Sequence, residues 1–315
     1  MKQGTYTKDP PRTVLAGGAG LVGQTLVDRM LASGPAEIIV IDKDVGGLRE
    51  LRQRHPGVTT ITADLSMPGD WTDYFDGATA AVTLQAQISS RYRADFERNN
   101  LTSTRRVLAA LQKHRVPYTV HVSSSVVCSV AEDPYAQTKR EQEQMFLDSG
   151  LPGVTLRPTL LFGRHDRHHL GWLARFMRYS PVFPIPGDGR YLRQPLFAQD
   201  FCAVIEHCLE QRAELDCINL TGLEPIAYID LIRNLRRITQ ARSLLLPIPI
   251  PLFGALLQTY GTLTRRPPFT RNQLQALIAG DHFEVIDWPG RFGIEPTPLH
   301  QALEQTFGKT RHTGD

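Results

Sequence analysis

Ala16-Gly17-Gly18-Ala19-Gly20-Leu21-Val22-Gly23 is the stretch on which the fold of this chain turns. A short apolar run, Thr13-Val14-Leu15-Ala16, leads into it and reads as a buried strand stopped by glycine. Leu21 to Leu31 follows with apolar residues at helical spacing and ends near Gly34. Strand, glycine turn and helix together make an anion site. Glycine permits the tight turn and a close backbone approach, and the helix start offers unpaired N–H groups and a positive dipole end. The spacing is GxxGxxG rather than GxGxxG, so the flanking elements carry much of the argument. Gly17, Gly20, Leu21, Val22 and Gly23 are therefore expected to cradle the pyrophosphate of a dinucleotide.

Working outward, Ile38-Ile39-Val40-Ile41 is a β-branched run of the kind buried on both faces of a parallel sheet. Asp42 ends it, about 20 residues beyond the glycines. A carboxylate there accepts hydrogen bonds from ribose hydroxyls and repels a 2′-phosphate, which favours NAD over NADP. Lys43 and Lys2 leave some room for NADP. Asp64-Leu65, after a further strand at Thr59 to Ala63, either meets the adenine edge or caps a turn. Strands are also expected at Ala80 to Leu84, Tyr118 to Val122 and Gly153 to Phe162, alternating with helices at Ala94 to Lys113 and Tyr135 to Asp148. That alternation implies βαβ units.

The catalytic signal lies about a hundred residues past the glycines. Ser123-Ser124-Ser125 closes a predicted strand, and Tyr135-Ala136-Gln137-Thr138-Lys139 opens a helix. Tyr135 and Lys139, four apart, share a helical face. A phenol with an ordinary pKa near ~10 is a poor base at neutral pH, and a nearby ammonium stabilises its phenolate. Ser125 is the expected partner of the reacting oxygen, with Ser124 as the fallback.

These motifs resemble the extended short-chain dehydrogenase/reductase superfamily, in its NAD-dependent epimerase/dehydratase branch, from about Thr13 to Phe307. The resemblance implies a doubly wound parallel Rossmann sheet with a smaller, mostly helical C-terminal lobe over the substrate. The family's HLAA stands here as Thr83-Leu84-Gln85-Ala86, so Leu84, Gln85 and Ala86 are cofactor candidates and Gln87 a substrate candidate. NVxGT becomes Asn100-Leu101-Thr102-Ser103-Thr104, which gives Asn100 a structural or proton-relay role. LRPxxxYG becomes Leu156 to Gly163, placing Pro158, Thr159 and Leu160 beside the cofactor. GxGxxxRDFxxVxD becomes Gly187 to Asp200, so Arg193 takes the place of the arginine that grips a nucleotide-sugar diphosphate, with Gln194-Pro195 replacing Asp-Phe. Val127-Cys128-Ser129 stands where Val-Tyr-Gly is usual. Val126-Val127 replaces the Asp-Glu of dehydratases, which disfavours dehydration.

The domains expected are residues 1–163 for NAD binding, with 191–222 returning to that domain, and 164–190 and 223–315 for the substrate lobe. Arg164, in the cluster Arg164 to His169, is a candidate for substrate phosphate. No metal is expected. Trp172, Phe176 and Tyr179 read as lobe core, or one of them as a stack for a substrate base, and Leu244 to Leu257 as lobe core or a lipid-facing edge.

Composition bounds the remaining possibilities. The chain has 315 residues, 41% hydrophobic and 21% charged, with net charge +3 from 35 basic and 32 acidic residues. That balance argues against a nucleic-acid binder, and Arg105-Arg106 and Arg265-Arg266 read as solvated charge. Four cysteines without a CxxC pair suit a reduced, cytoplasmic protein. No apolar stretch is long and unbroken enough to span a membrane.

These residues and the resemblance favour one function and leave two alternatives. The first is a nucleotide-sugar epimerase or reductase acting through a transient keto-sugar. The second is an NAD(P)-dependent hydroxysteroid- or lipid-type alcohol dehydrogenase. The third is a non-catalytic dinucleotide-binding module. The resemblance also implies a homodimer.

Overall fold

The computed structural model describes residues 11–130, 132–212, 215–263, 271–278 and 283–308. Lys2, Arg265 and Arg266 lie outside them.

Seven parallel strands form the central sheet. They are β1 (Arg12–Ala16), β2 (Glu37–Asp42), β3 (Thr59–Thr62), β4 (Ala80–Thr83), β5 (Thr119–Val122), β6 (Gly153–Pro158) and, late in the chain, β11 (Leu215–Leu220). Their order is β11-β6-β5-β4-β1-β2-β3. Parallel strands need covered faces, and period-two alternation shows how each is covered. Ile38 and Val40 of β2 pack into one layer with Leu26, Val82, Val120 and Phe201. Ile39 and Ile41 pack into the other with Phe75, Ala81, Leu111 and Phe146. The strand order reverses between β1 and β4, and the crevice beyond the carboxyl ends of those two strands is where an open α/β sheet binds its ligand.

The covering helices are α1 (Leu21–Ser33), α2 (Val45–Arg54), α3 (Arg93–Phe96), α4 (Ser103–Lys113) and α5 (Pro134–Asp148). A π-helical turn, Glu97–Thr102, joins α3 to α4, so the helix expected over Ala94 to Lys113 carries a local widening. Asp133 caps α5 by accepting from the N–H groups of Tyr135 and Ala136, with Pro134 in the first turn. The strand expected over Gly153 to Phe162 is broken at Thr159-Leu160. Beyond the break, β7 (Leu161–Phe162) pairs instead with β10 (Leu196–Phe197). The cause is local: the Thr159 N–H donates to the Leu220 carbonyl, and its hydroxyl donates to the Gln194 carbonyl.

The lobe holds α6 (Leu170–Tyr179), β8 (Val182–Pro186), α8 (Tyr228–Thr239), β13 (Leu244–Ile248), α9 (Ile250–Leu263) and α10 (Arg271–Ile278). Helices dominate it as expected, but Leu244–Ile248 is a strand parallel to β8. Prolines at 184, 186, 247 and 249 forbid a helix there and suit an isolated two-stranded ribbon. Between the lobe's two halves the chain runs through α7 (Ala198–Gln211), which packs on α1 through an Arg29–Glu206 ion pair of 2.6 Å.

Candidate active site

A cavity of about 1300 Å³ opens at the carboxyl ends of β1 and β4 and runs into the lobe. Its first half is built by the glycine turn. Gly17, at φ +80°, lies so near the segment after β4 that a Cβ would sit 2.5 Å from the Gln85 nitrogen. At Gly23 a Cβ would lie 2.2 Å from the Gly18 carbonyl, so this glycine lets the helix close on its own turn. Gly20 is different: a Cβ there would meet nothing, because the backbone faces the open cavity. It is also the N-cap of α1, with no side-chain cap and no acid in the first turn. A bare, uncapped helix start facing open space fits a pyrophosphate.

The other cofactor candidates gather around it. Leu21, Val22, Asp42, Lys43, Asp64, Leu65, Leu84, Gln85, Ala86, Pro158, Thr159 and Leu160 all line the cavity. Asp42 accepts from the Ala19 N–H (2.9 Å) and the Asp44 N–H (2.9 Å), so the strand-end carboxylate also braces the glycine turn. Lys43 donates to Asn99 at 2.6 Å. Asp64 faces the cavity and also caps a turn, accepting from the Ser66 N–H and hydroxyl. Burial opposes its charge, but those bonds with Lys43 and Arg98 hold its carboxyl below the usual range.

Tyr135 and Lys139 meet the same cavity from α5. Burial raises the Tyr135 phenol above its ordinary value, while a hydrogen bond with the Ser124 hydroxyl works the other way. Burial pushes the Lys139 ammonium down to about 7, against the pull of Glu143. Lys139 donates to Gln142 Oε1 (2.6 Å) and the Val122 carbonyl (3.2 Å). Glu143 is itself clamped by both arms of Arg157 on β6. The unprimed Tyr135 is thus a protonated phenol beside a weakly held cation.

Several sequence expectations change here. Ser124 is the hydroxyl that acts on the Tyr135 phenol, whereas the expectation for Ser125 concerned the substrate oxygen. Both line the cavity, but Ser125 is the buried first residue of a short 3₁₀ turn, and extended Ser124 is its N-cap. Asn100, given a structural or proton-relay role by the resemblance, is fully buried and does not line the cavity. It accepts from the Gln87 N–H (2.6 Å) and donates to Thr138 (2.9 Å), tying the segment after β4 to α5. Gln87 lines the cavity, held by Asn99 and the Ser89 carbonyl.

Arg164 is exposed and away from the cavity. Gly163 packs against Ala198 and Leu21, and the loop turns Arg164 outward. The neighbours of Arg164 are tied to other parts of the protein. Buried Asp166 caps α6 through the N–H groups of His168, His169 and Gly171. Arg167 reaches across to Asp44 (3.3 Å) and Glu50 beside α2. His165 bonds Asp28 of α1 (2.9 Å). Burial disfavours the Asp28 charge, yet His165, His55 and Arg54 hold it well below the carboxylate range.

The second half of the cavity has another character. Trp172 and Phe176 of α6 stack at 5.2 Å and face Phe183, Pro184, Pro186, Tyr228, Ile248, Phe253, Leu256, Leu257, Leu277 and Phe283. Arg193 also lines it and donates to the Leu277 carbonyl at 3.5 Å. Gln194, at the place of the family's aspartate, fastens Phe283 through two backbone bonds of 2.8 Å. Tyr179, expected in the lobe core with Trp172 and Phe176, is 82% exposed. Arg106, read as solvated, donates to the Ser66 carbonyl at 3.0 Å.

Known proteins resemble both the fold and the sequence. The chain superposes on a UDP-N-acetylglucosamine 4-epimerase from Methanobrevibacter ruminantium M1 in complex with UDP-N-acetylmuramic acid, with TM-score 0.76 and 17% identity, over 95% of this chain and 98% of that one. It superposes equally, at TM-score 0.76 and 19% identity, on DesIV, a dTDP-glucose 4,6-dehydratase from Streptomyces venezuelae with NAD bound, over 94% and 95% of the two chains. In sequence it is 26% identical over 211 residues to a 4-hydroxy-2-methyl-3-oxo-4-farnesyl-3,4-dihydroquinoline-1-oxide ketoreductase from Stigmatella aurantiaca. That match covers 61% of this chain and 62% of the relative. The family model described as NAD dependent epimerase/dehydratase matches residues 13–220. With its glycine turn, Tyr135–Lys139 pair and reversed strand order, the chain belongs to the NAD dependent epimerase/dehydratase family, enzymes of the oxidoreductase type whose cofactor is NAD.

Proposed function

We propose that the chain is an NAD-dependent ketone reductase (running reversibly as a secondary-alcohol dehydrogenase) for a largely apolar substrate. The observation that carries this reading is the lining of the cavity beyond Tyr135, where α6, β8, α8, β13, α9 and α10 supply mostly aromatic and aliphatic side chains, with Arg193 and His169 among them. Removing an alkyl or prenyl chain from water contributes about 25 cal/mol per Å² of apolar area. A sugar hydroxyl against the same wall would lose hydrogen bonds and gain none. The ketoreductase relative, named for a farnesyl-bearing substrate, points the same way.

NAD, when bound, exchanges a hydride with the substrate carbon. The chain's own residues handle the proton. In the reductive direction Tyr135 gives its phenolic proton to the substrate oxygen as the carbonyl becomes an alcohol. Its raised pKa suits it to begin as an acid. Ser125, which lines the same cavity, donates to that oxygen and steadies its charge, while Ser124 acts on the phenol. Lys139 stabilises the phenolate left behind until solvent returns the proton. Gly17, Gly20 and Gly23 with Asp42 would hold the cofactor, and Thr159 with Leu160 would flank it.

A second reading, a nucleotide-sugar epimerase acting through a keto-sugar, is favoured by Arg193, whose fork suits a diphosphate. The fold likeness to the UDP-sugar epimerase supports it as well. One experiment separates the two. Purified protein is supplied with NADH and a series of prenyl or long-alkyl ketones, and separately with UDP- and dTDP-sugars. The apolar-ketone reading expects stoichiometric NADH consumption that improves with chain length. Sugar interconversion by NMR without net NADH change, and no ketone turnover, would replace it with the epimerase reading.

A further inference from the structure

No charged residue occurs in the sequence between Arg242 and Arg265. Into that interval fall β13 and α9, and the structure gives them two apolar sides at once. On the inner side Ile248, Phe253 and Leu257 line the cavity. On the outer side Leu244 is 62% exposed and Leu252 53% exposed, with Leu246 and Ile250 exposed beside them. Leu256 belongs to both sides: it lines the cavity and is 53% exposed. A helix at a protein surface normally turns a polar face outward, and one that is apolar on both sides expects a second apolar medium. Single exposed leucines are ordinary, but a continuous run of them marks a contact surface.

We infer that the β13–α9 face seats on a lipid bilayer surface, and that the apolar substrate passes between the bilayer and the cavity beside Leu256. Charge favours lipid over a polar partner. Exposed Arg178 and Arg242 flank the start of the strip, where the Leu244 N–H bonds the Pro181 carbonyl. Arg265-Arg266 follows its end in sequence, and exposed Tyr179 stands at the same edge as Arg178. Apolar residues bordered by arginines and a tyrosine match the boundary between acyl chains and anionic headgroups. The nearest acid along β8 is Asp188, which pairs with Arg190 at 4.0 Å. No described helix is long and apolar enough to cross a membrane, so the seating is superficial. A cavity wall that is also the contact surface gives a water-insoluble ketone a route that never crosses water.

The passage rests on the apolar-substrate reading, whereas the seating is measured without any substrate. The full chain is floated with vesicles of phosphatidylcholine and phosphatidylglycerol (3:1), beside the double variant Leu244→Glu/Leu252→Glu. Neither substituted residue lines the cavity. NAD titration by protein fluorescence verifies that the variant is folded. The expected result is co-flotation of the parent and at least a tenfold loss in the variant, with unchanged NAD affinity. Failure of the parent to float overturns the proposal, as does equal flotation of both proteins. So does a concentration-dependent dimer, seen by ultracentrifugation and abolished by the same substitutions without lipid binding, since a second copy would then cover the face. Flotation with no turnover of apolar ketones leaves the seating intact and sinks only the substrate reading.

Discussion

The two halves of the cavity are built on opposite plans. The cofactor half is made from backbone: three glycines, an uncapped helix start and the ends of two strands, with Asp42 and Lys43 held by hydrogen bonds to their neighbours. The substrate half is made from side chains, almost all apolar, brought in by α6, β8, α8, β13, α9 and α10. Backbone is the same in every residue, so a site made from it recognises what all relatives share. Side chains differ, so the half made from them decides which molecule is turned over.

The sharpest way to break this division is at its border. Tyr135→Phe removes the proton donor and leaves both halves standing. A fall in kcat of about 10²–10⁴-fold is expected with NAD affinity unchanged, read by single-turnover NADH oxidation and by titration. Unchanged turnover would move the chemistry to another group.

A second effect belongs to the polar half alone. Lys139 has its pKa lowered to about 7 in the folded protein, against 10.5 unfolded. Between those values the unfolded chain binds more protons, so apoprotein stability should rise with pH from 7 toward 10.5, by at most about 1.4 kcal/mol per pH unit. Below pH 7 the cost of burying this lysine is fully present. Urea midpoints across that range should show the rise, and Lys139→Met should flatten it.

Trp172→Ala tests the apolar half. It strips one of two stacked rings from the wall and is expected to raise the ketone KM about tenfold or more, equal to ~1.4 kcal/mol or more. NAD affinity should not move. A change in NAD affinity instead would mean that the halves are not separable. The smallest effect is expected where the lobe touches the cofactor domain. Arg167→Ala cuts exposed ion pairs to Asp44 and Glu50, worth about 0.2–1 kcal/mol. NADH release by stopped flow should quicken no more than about fivefold, and the difference should vanish in high salt.

The same division explains what was legible in the sequence. The glycine turn, Asp42 and the Tyr135–Lys139 pair are local patterns whose geometry follows from a strand, a turn or one helical face, and the structure gathers all of them. Ser124 and Ser125 both reach the cavity, because the chain leaves β5 for a tight turn at that point. Arg164 and Arg167 are alike in sequence, and only the Gly163–Ala198 packing and the Asp166 cap decide which one turns inward. The substrate half was only faintly legible, because Trp172 and Phe176 read first as core until the cavity they help to surround is seen. Leu244 to Leu257 was readable as unusual, and the two sides it faces were not.

The π-helical turn Glu97–Thr102 has one more consequence. Asn99 and Asn100 are consecutive, yet both reach the segment after β4: Asn99 through the Gln87 side chain and Lys43, Asn100 through the Gln87 backbone and on to Thr138. Successive residues of a regular α-helix point roughly 100° apart, and the widened turn lets neighbours serve one partner. Shortening the turn by a single residue would twist α4 by about that angle against α3. Either the asparagines would swing away from Gln87, or Val107 and Leu111 would leave the sheet. Residue count is therefore inviolable here even where residue identity is not. In a lineage of such proteins this segment would act as a ruler, admitting substitutions and refusing gaps.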